Sequence, residues 1–365
     1  MTKKFDVAII GGGNAGFGAS AVLHEAGKTI AFIEEREFGG TCPNRGCTPK
    51  KVLVAAAHAL HEIEQAAKHG IEVGRPKLHW RKLIDRKQDM IGFIPDAMLA
   101  TAGKRATVFK GDAKFIGPKT LQVGEETIEA DDIIIATGSK HRPLAIPGAA
   151  LMITSDDVLT DRELPNEVMF IGGGVVAMEF SHVYARAGAK VTILEALPKL
   201  LPRMDSDAVS ALRRETERLG VVIKTDVAVK EISETGDRLT VVYEQDGVAS
   251  SAQADRVVNG AGRIANVDML NLEAANVRHD GIRIEVDDFL RSISNPHIWV
   301  AGDALVHSAQ LSPVATYEGR IVGHNIAHGP EKTPDYAVIP SAVYTIPALS
   351  AVGLTEKQAT AAGLD

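Results

Sequence analysis

The sequence predicts an α/β protein organised around two copies of one β-α-β unit, and three observations carry that prediction. Phe5-Asp6-Val7-Ala8-Ile9-Ile10 and Val168-Met169-Phe170-Ile171 are short apolar runs of the kind buried in parallel sheets. Each leads straight into glycines, Gly11-Gly12-Gly13-Asn14-Ala15-Gly16 in the first case and Gly172-Gly173-Gly174-Val175-Val176-Ala177 in the second. Each is then followed by an acid at one distance: Glu34 lies 34 − 11 = 23 residues beyond Gly11, and Glu195 lies 195 − 172 = 23 beyond Gly172. Ala26-Gly27 and Ala187-Gly188 share the same offset, 188 − 27 = 161, each ending a helix before a second strand at 29–33 or 191–194.

The physics of each copy is that of a Rossmann-like dinucleotide unit. The glycines (Gly11, Gly13 and Gly16; Gly172 and Gly174) allow a tight turn and let a phosphate approach the backbone. The helix that follows, opening at Asn14-Ala15 or at Val175, presents its first N–H groups to a pyrophosphate. The acid closing the second strand accepts hydrogen bonds from a ribose diol. Two further strings belong with these units. Asp132-Ile133-Ile134-Ile135-Ala136-Thr137-Gly138 reads as a buried strand ending in a turn, with Ile146-Pro147-Gly148 after it. Ile298-Trp299-Val300-Ala301-Gly302-Asp303 reads as a strand with a carboxylate at its carboxyl end, where ligands bind in open α/β sheets.

Bulk properties narrow the partners. At 365 residues and 45% hydrophobic, the chain has material for two or three cores. Its 40 basic and 47 acidic residues give −7 without a basic block, which argues against nucleic acid. No apolar run reaches the ~18–20 residues of a membrane span, and no membrane partner is expected. Residues 5–10 lack a cleavage pattern, so a cytoplasmic location is expected.

The chain has two cysteines, and both fall in Gly39-Gly40-Thr41-Cys42-Pro43-Asn44-Arg45-Gly46-Cys47-Thr48-Pro49-Lys50-Lys51, shortly after Glu34. Residues five apart on a regular helix lie ~8–9 Å apart at Cα, whereas a disulfide requires ~4.4–6.8 Å. Bonding therefore needs a departure from straight helix, which Pro43, Gly46 and Pro49 permit. Arg45, Lys50 and Lys51 would favour thiolates. A zinc site, an inert bridge and a redox pair are the alternatives. Zinc normally needs four ligands, and no second cysteine pair exists; an inert bridge suits secretion better than cytoplasm. The redox pair is favoured. Over 52–68 the apolar spacing suits a long helix on which His58 and His61 lie one turn apart; with no further ligand evident, no metal is expected.

With these motifs in order, the sequence resembles the class I pyridine nucleotide–disulfide oxidoreductases, such as glutathione reductase, dihydrolipoamide dehydrogenase and mercuric reductase. The stretch 39–51 resembles the family's redox helix, and Ala136-Thr137-Gly138 and Ala301-Gly302-Asp303 resemble its flavin motifs. Leu311-Ser312-Pro313-Val314-Ala315 and Val352-Gly353-Leu354-Thr355-Glu356 follow in order. The resemblance implies FAD in the first unit, with Glu34 on its ribose and Asp303 on its ribitol side, and a nicotinamide nucleotide in the second. Electrons would pass from nicotinamide through flavin to the Cys42–Cys47 disulfide and on to a small disulfide substrate. Cys47 would face the flavin and Cys42 would meet substrate. Lys50, or in part of the family its neighbour Lys51, would pair with Glu179 near the flavin. Further cofactor contacts are implied at Thr41, Ala113, Gly262, Arg263, Leu311 and Ser312.

Glu195 argues for NADH, because its charge would repel a 2′-phosphate, and Ala196-Leu197-Pro198-Lys199 lacks the arginines of NADPH-using relatives. Ala177, standing where a third glycine would be, resembles the NADPH branch. The double lysine after Thr48-Pro49 is closer to glutathione reductase, and Arg320 matches one of its arginines, yet Ala21 replaces another; the disulfide stays unnamed. The expected domains are FAD-binding at 1–150 and 266–335, a nicotinamide domain inserted at 151–265, and a truncated α+β interface domain at 336–365. The family's late His-Glu pair has no counterpart, since no histidine follows His328. A full-length family member would be a homodimer. Two other functions stay open: a diaphorase-like flavoprotein reducing quinones, dyes, metal ions or oxygen, and an inactive FAD-binding fragment.

Overall fold

The apolar run 7–10 is buried and lies mid-sheet, with a parallel strand on either side of it. Residues 7–10 of Thr2–Ile10 pair with residues 30–33 of one neighbour and with 132–135 of the other, all in parallel. The computed structural model describes residues 1–305 and 308–364; Val306, His307 and Asp365, which fall within the expected segments 266–335 and 336–365, lie outside the described residues. By contacts the chain forms two packed units: Met1–Cys47, Ile91–Lys140 and Arg263–Tyr336 make the first, and Thr48–Met90, His141–Gly262 and the residues from Ala337 onward make the second.

In the first unit the sheet runs Thr107–Lys110, Ile30–Glu34, Thr2–Ile10, Glu126–Ile135, Thr120–Val123, Ala113–Gly117, with Ile298–Val300 pairing in parallel to the end of Glu126–Ile135. The carboxyl ends of four parallel strands thus deliver Gly11, Glu34, Ala136 and Ala301 to one edge. Helix Asn14–Glu25 covers the sheet and packs on helix Ser312–His328 with backbones almost touching. A Cβ at Gly319 would sit 2.0 Å from the Ala15 carbonyl oxygen, and one at Gly18 would sit 2.4 Å from that of Thr316.

In the second unit a parallel sheet runs Val222–Lys224, Lys190–Leu194, Glu167–Ile171, Arg256–Asn259, and a separate antiparallel sheet is made by Val227–Thr235, Arg238–Gln245 and Val248–Ala254. The repeat seen in the sequence holds down to single hydrogen bonds. Gly11 N–H donates to Ile33 O and Gly172 N–H to Leu194 O, at 2.8 and 2.7 Å; helix Asn14–Glu25 ends with Gly27 N–H on His24 O, and Val175–Ala187 with Gly188 N–H on Ala185 O, both at 3.0 Å. Both features of this architecture, an α/β fold and two Rossmann-like units, agree with the expected class.

Residues 48–90 were expected with 1–150, but they pack with the second unit. Leu53, Ala57, Trp80, Leu83 and Ile84 share one apolar core with Phe170, Met178 and Tyr184. The Trp80 indole stacks on the Tyr184 ring at 5.3 Å and donates to Asp161 O. The helix over this segment is Cys47–Gln65, continued by a 3-10 turn, Ala66–His69. No helix among the described residues is long and apolar enough to cross a membrane. Replacing Gly319 by Ala should lower stability by about 1–3 kcal/mol through overpacking, whereas Gly103→Ala, in the last turn of Ile94–Arg105 with nothing within 4 Å of its added Cβ, should raise it by about 0.5–1 kcal/mol; urea unfolding of the two variants checks both signs.

Candidate active site

The first unit's glycine loop is held by an acid. Gly12 N–H donates to Glu34 Oε2 at 2.6 Å, Arg36 N–H donates to Oε1 at 2.8 Å, and the carboxylate is buried. Gly12 O in turn accepts from Gly39 N–H at 2.7 Å. Gly40 has φ +66, and a Cβ on it would lie 2.7 Å from Gly13 Cα. Only a glycine fits so close to another backbone. The segment that carries the thiols therefore leaves directly from the glycine loop.

From there helix Thr41–Arg45 runs to Gly46, whose φ −143 and ψ −112 break it, and a new helix, Cys47–Gln65, begins on the second cysteine. The departure from straight helix lies at one of the residues that permit it. Cys42 and Cys47 are both half-buried. Asn44 Nδ2 donates to Phe38 O at 3.0 Å, and Arg45 pairs with Glu37 at 2.6 Å.

The residues of this unit fit a dinucleotide. Helix Asn14–Glu25 starts at Gly13 with no side-chain cap and no acid in its first turn among the described residues, so its leading N–H groups face outward from the loop. A Cβ at Gly11 would stand 2.2 Å from Ala136 O, and one at Gly16 would stand 2.1 Å from Gly11 O, which keeps the turn tight. Thr137 Oγ1 and Asn44 Oδ1 are buried without a hydrogen-bond partner among the described residues. A buried polar atom left in this way is costly, and a ligand with polar edges would satisfy it.

At the carboxyl end of Ile298–Val300, Arg263 Nε donates to Ser139 Oγ, and Ser139 donates to Asp303 Oδ2, each at 2.9 Å. Burial raises the Asp303 carboxyl above its usual range, opposed by Ser139 and by the Arg263 charge. The adjoining Gly302 N–H donates to Glu318 Oε2 at 2.7 Å, and Tyr336 OH to Oε1 at 2.8 Å. Glu318 is fully buried, and burial pushes its carboxyl up as well. Asn14 Nδ2 donates to Ser312 at the start of helix Ser312–His328, following Leu311. Ala113 opens Ala113–Gly117 and is buried in the core, and Gly138 turns with φ +69.

The second unit repeats the clamp. Glu195 accepts from Gly173 N–H and, at 2.7 Å, from Leu197 N–H, and Gly173 O accepts from Leu201 N–H at 3.2 Å. Helix Val175–Ala187 begins at Gly174, also without a side-chain cap or a first-turn acid among the described residues. Gly172 and Gly262 have φ +104 and +96. Lys50 Nζ pairs with Glu179 Oε1 at 2.7 Å, the two side chains being 14% and 4% exposed; Lys51 makes no such pair among the described residues. By contacts, Thr41, Cys42, Cys47, Ala136, Thr137, Arg263, Gly302 and Asp303 fall in the first unit, and Lys50, Lys51, Glu179, Gly172, Gly174, Val175, Glu195 and Gly262 in the second.

A scan of family models matches residues 5–319 to the pyridine nucleotide-disulphide oxidoreductases. The chain belongs to this family. Dihydrolipoyl dehydrogenase from Bacillus subtilis is 32% identical over 364 residues, covering 97% of this chain and 78% of the relative. The enzyme of that name from Cupriavidus necator is 34% identical over 388 residues, covering 100% and 80%. Among solved structures, a Cu(II) complex of a mutant of the HOCl-induced flavoprotein disulfide reductase RclA from Escherichia coli superposes with a TM-score of 0.88 at 29% identity, covering all of this chain and 80% of that one. As a family member the chain is an FAD- and NAD(P)H-linked disulfide oxidoreductase.

Sequence reasoning missed Ser139, Glu318, Tyr336 and Tyr344. A signal existed for two of them: Ser139 directly follows Ala136-Thr137-Gly138, and Glu318 sits in the buried stripe Val314, Ala315, Ile321, Val322, where an acid needs a reason. His182 also went unremarked. Thr216 Oγ1 donates to Leu212 O and so accepts from His182 Nε2–H at 2.9 Å, while Nδ1 accepts from Ile346 N–H at 3.2 Å. Burial, with the Arg186 charge, pushes His182 down to about 3. An unfolded histidine titrates near ~6.5, so between those values the unfolded chain binds a proton that the folded chain refuses. Stability is then whole above pH ~6.5 and falls toward pH 3 by up to about 1.4 kcal/mol per pH unit. Denaturant midpoints taken from pH 7 to pH 4.5 should show this slope, and His182→Asn should lose that part of it.

Proposed function

We propose that this chain transfers two electrons from NADH to a small disulfide, with NADH bound by the second unit, FAD by the first, and the Cys42–Cys47 pair as the protein's own redox centre. The observation that carries the reading is the direct exit of the thiol segment from the first unit's glycine loop, through Gly39 N–H on Gly12 O and the contact of Gly40 with Gly13. FAD, when bound, supplies a two-electron relay between nicotinamide and thiols. Glu34 would orient its ribose, Thr137 and Asn44 would find partners on it, and Arg263 and Ser139 would hold Asp303 toward its ribitol side. Lys50, fixed by Glu179, would supply positive charge to the redox chemistry.

The thiol chemistry follows from the two sulfurs. As thiolate, Cys42 attacks one sulfur of the substrate, forming a mixed disulfide and expelling the first thiol. Cys47 then attacks Cys42 Sγ, expelling the second thiol and restoring the Cys42–Cys47 disulfide. Two electrons leave the protein and each departing sulfur takes one proton. Cys47 opens helix Cys47–Gln65, where the helix dipole favours a negative sulfur. Glu195, fixed by two backbone donors, would accept from a ribose diol and repel a 2′-phosphate, which supports NADH. Lipoamide heads the disulfides to be tested because of the dihydrolipoyl dehydrogenase relatives. We further propose 1–150 with 266–335 as the FAD domain, apart from 48–90, which pack with the second unit, 151–265 as the nicotinamide domain, a homodimer, and a cytoplasmic location.

One observation favours a second reading. The structural relative RclA is named as a Cu(II) complex, which suits the flavoprotein alternative in which metal ions, quinones, dyes or oxygen take the electrons. Anaerobic NADH added to the purified, FAD-loaded chain tells the readings apart. A long-wavelength band from a thiolate beside the flavin is expected, and simple bleaching with no dependence on the cysteines favours the alternative. Cys42→Ser or Cys47→Ser should lower NADH-driven lipoamide reduction by roughly 10³-fold or more while dye reduction continues. kcat/KM should favour NADH over NADPH by about tenfold or more; the reverse preference would overturn the cofactor assignment.

A further inference from the structure

We propose that Tyr344 is the positioning residue of the Lys50–Glu179 pair: its peptide N–H grips the carboxylate, its ring grips the ammonium, and Lys51 is thereby kept out of the pair. Tyr344 N–H donates at 2.8 Å to Glu179 Oε1, the same oxygen that Lys50 Nζ meets at 2.7 Å. The ring centroid lies 4.5 Å from Lys50 Nζ and 4.6 Å from Lys51 Nζ. One residue thus touches both members of the ion pair and the neighbouring amine that competes for it.

Lys50 and Lys51 are consecutive on helix Cys47–Gln65 and project about 100° apart, yet their long, flexible stems bring both ammonium groups to the same ring. An aromatic face attracts a cation within ~6 Å, so the ring offers Lys51, which is exposed, a site other than the carboxylate. Two donors on one oxygen fix the carboxylate for Lys50.

Tyr344 is itself well held. Glu179, His182 and Arg186 form one stripe along helix Val175–Ala187, and the chain at 344–346 lies against it. Tyr344 N–H meets Glu179, Ile346 N–H meets His182 Nδ1 at 3.2 Å, and Arg186 Nη2 meets Ile346 O at 3.3 Å. Val343 and Ile346 are 0% and 6% exposed and belong to the core. His182 is held neutral by this packing, so its acceptor nitrogen stays available to Ile346.

The functional weight of the pair rests on the reading proposed above, but the geometry can be tested apart from it. The purified chain is acetylated with a limiting amine-reactive ester, and mass spectrometry gives the rates at Lys50 and Lys51 for wild type, Tyr344→Phe, Tyr344→Leu and Tyr344→Met. Lys51 should label several-fold faster than Lys50 in wild type and in Y344F, which keeps the ring. Y344L and Y344M, checked as folded by urea midpoint, should raise Lys50 labelling by about threefold or more. A wild-type Lys50 to Lys51 ratio in either folded ring-free variant overturns the proposal. A raised Lys50 rate alongside unchanged NADH-dependent bleaching upholds the positioning and instead counts against the redox role of the pair.

Discussion

Both peptide groups of Gly12 are committed, and the first unit is arranged around that fact. Its N–H is taken by the buried carboxylate of Glu34 and its carbonyl by the N–H of Gly39. The first bond folds the glycine loop back onto the end of the neighbouring strand. The second bond ties the next stretch of chain to the loop. With both made, the leading N–H groups of helix Asn14–Glu25 are left for a ligand, and Gly40 is set against Gly13 as the chain leaves the loop. A side chain on Gly12 would meet the Phe38 ring at 2.5 Å, so the space above the loop is already filled. Burying a carboxylate is tolerable here because each oxygen receives a backbone donor.

The second unit has the same wiring. Gly173 stands for Gly12, Glu195 for Glu34, and Leu201 for Gly39; a side chain on Gly173 would strike Leu200 at 2.4 Å, as one on Gly12 would strike Phe38. The correspondence therefore outlasts the β-α-β unit and runs to the residue before the thiol segment. There it stops. In one copy Gly40-Thr41-Cys42 follows, and in the other Pro202 follows.

Most of the fold and much of the candidate site were legible in the sequence because they rest on local rules. Buried parallel strands read as unbroken apolar runs, tight turns read as glycines, and each acid follows its loop at a set distance. Lys50, Glu179 and the two cysteines were found by motif. What stayed hidden depends on contacts between distant parts of the chain. Ser139 gains meaning only when Arg263 and Asp303 arrive on either side of it, 124 and 164 residues later. Tyr344 is an ordinary aromatic until its peptide N–H is set against Glu179. The packing of residues 48–90 depends on the side chains of Trp80 and Tyr184 stacking, which no periodicity announces. The clamp made by Glu34 and by Glu195 was equally invisible, because a backbone N–H leaves no mark in a sequence.

The hinge residue of the clamp differs between the copies in an informative way. Leu201 sits at φ +44 and Gly39 at φ +107, so one copy accepts a bulky residue where the other, with the Pro43 ring 3.0 Å from any added Cβ, does not. One clamp geometry is thus used twice, with two cysteines following it in one copy and Pro202 in the other. A protein engineer wishing to install other side chains on this scaffold would leave everything up to Gly40 alone and rewrite only what comes after.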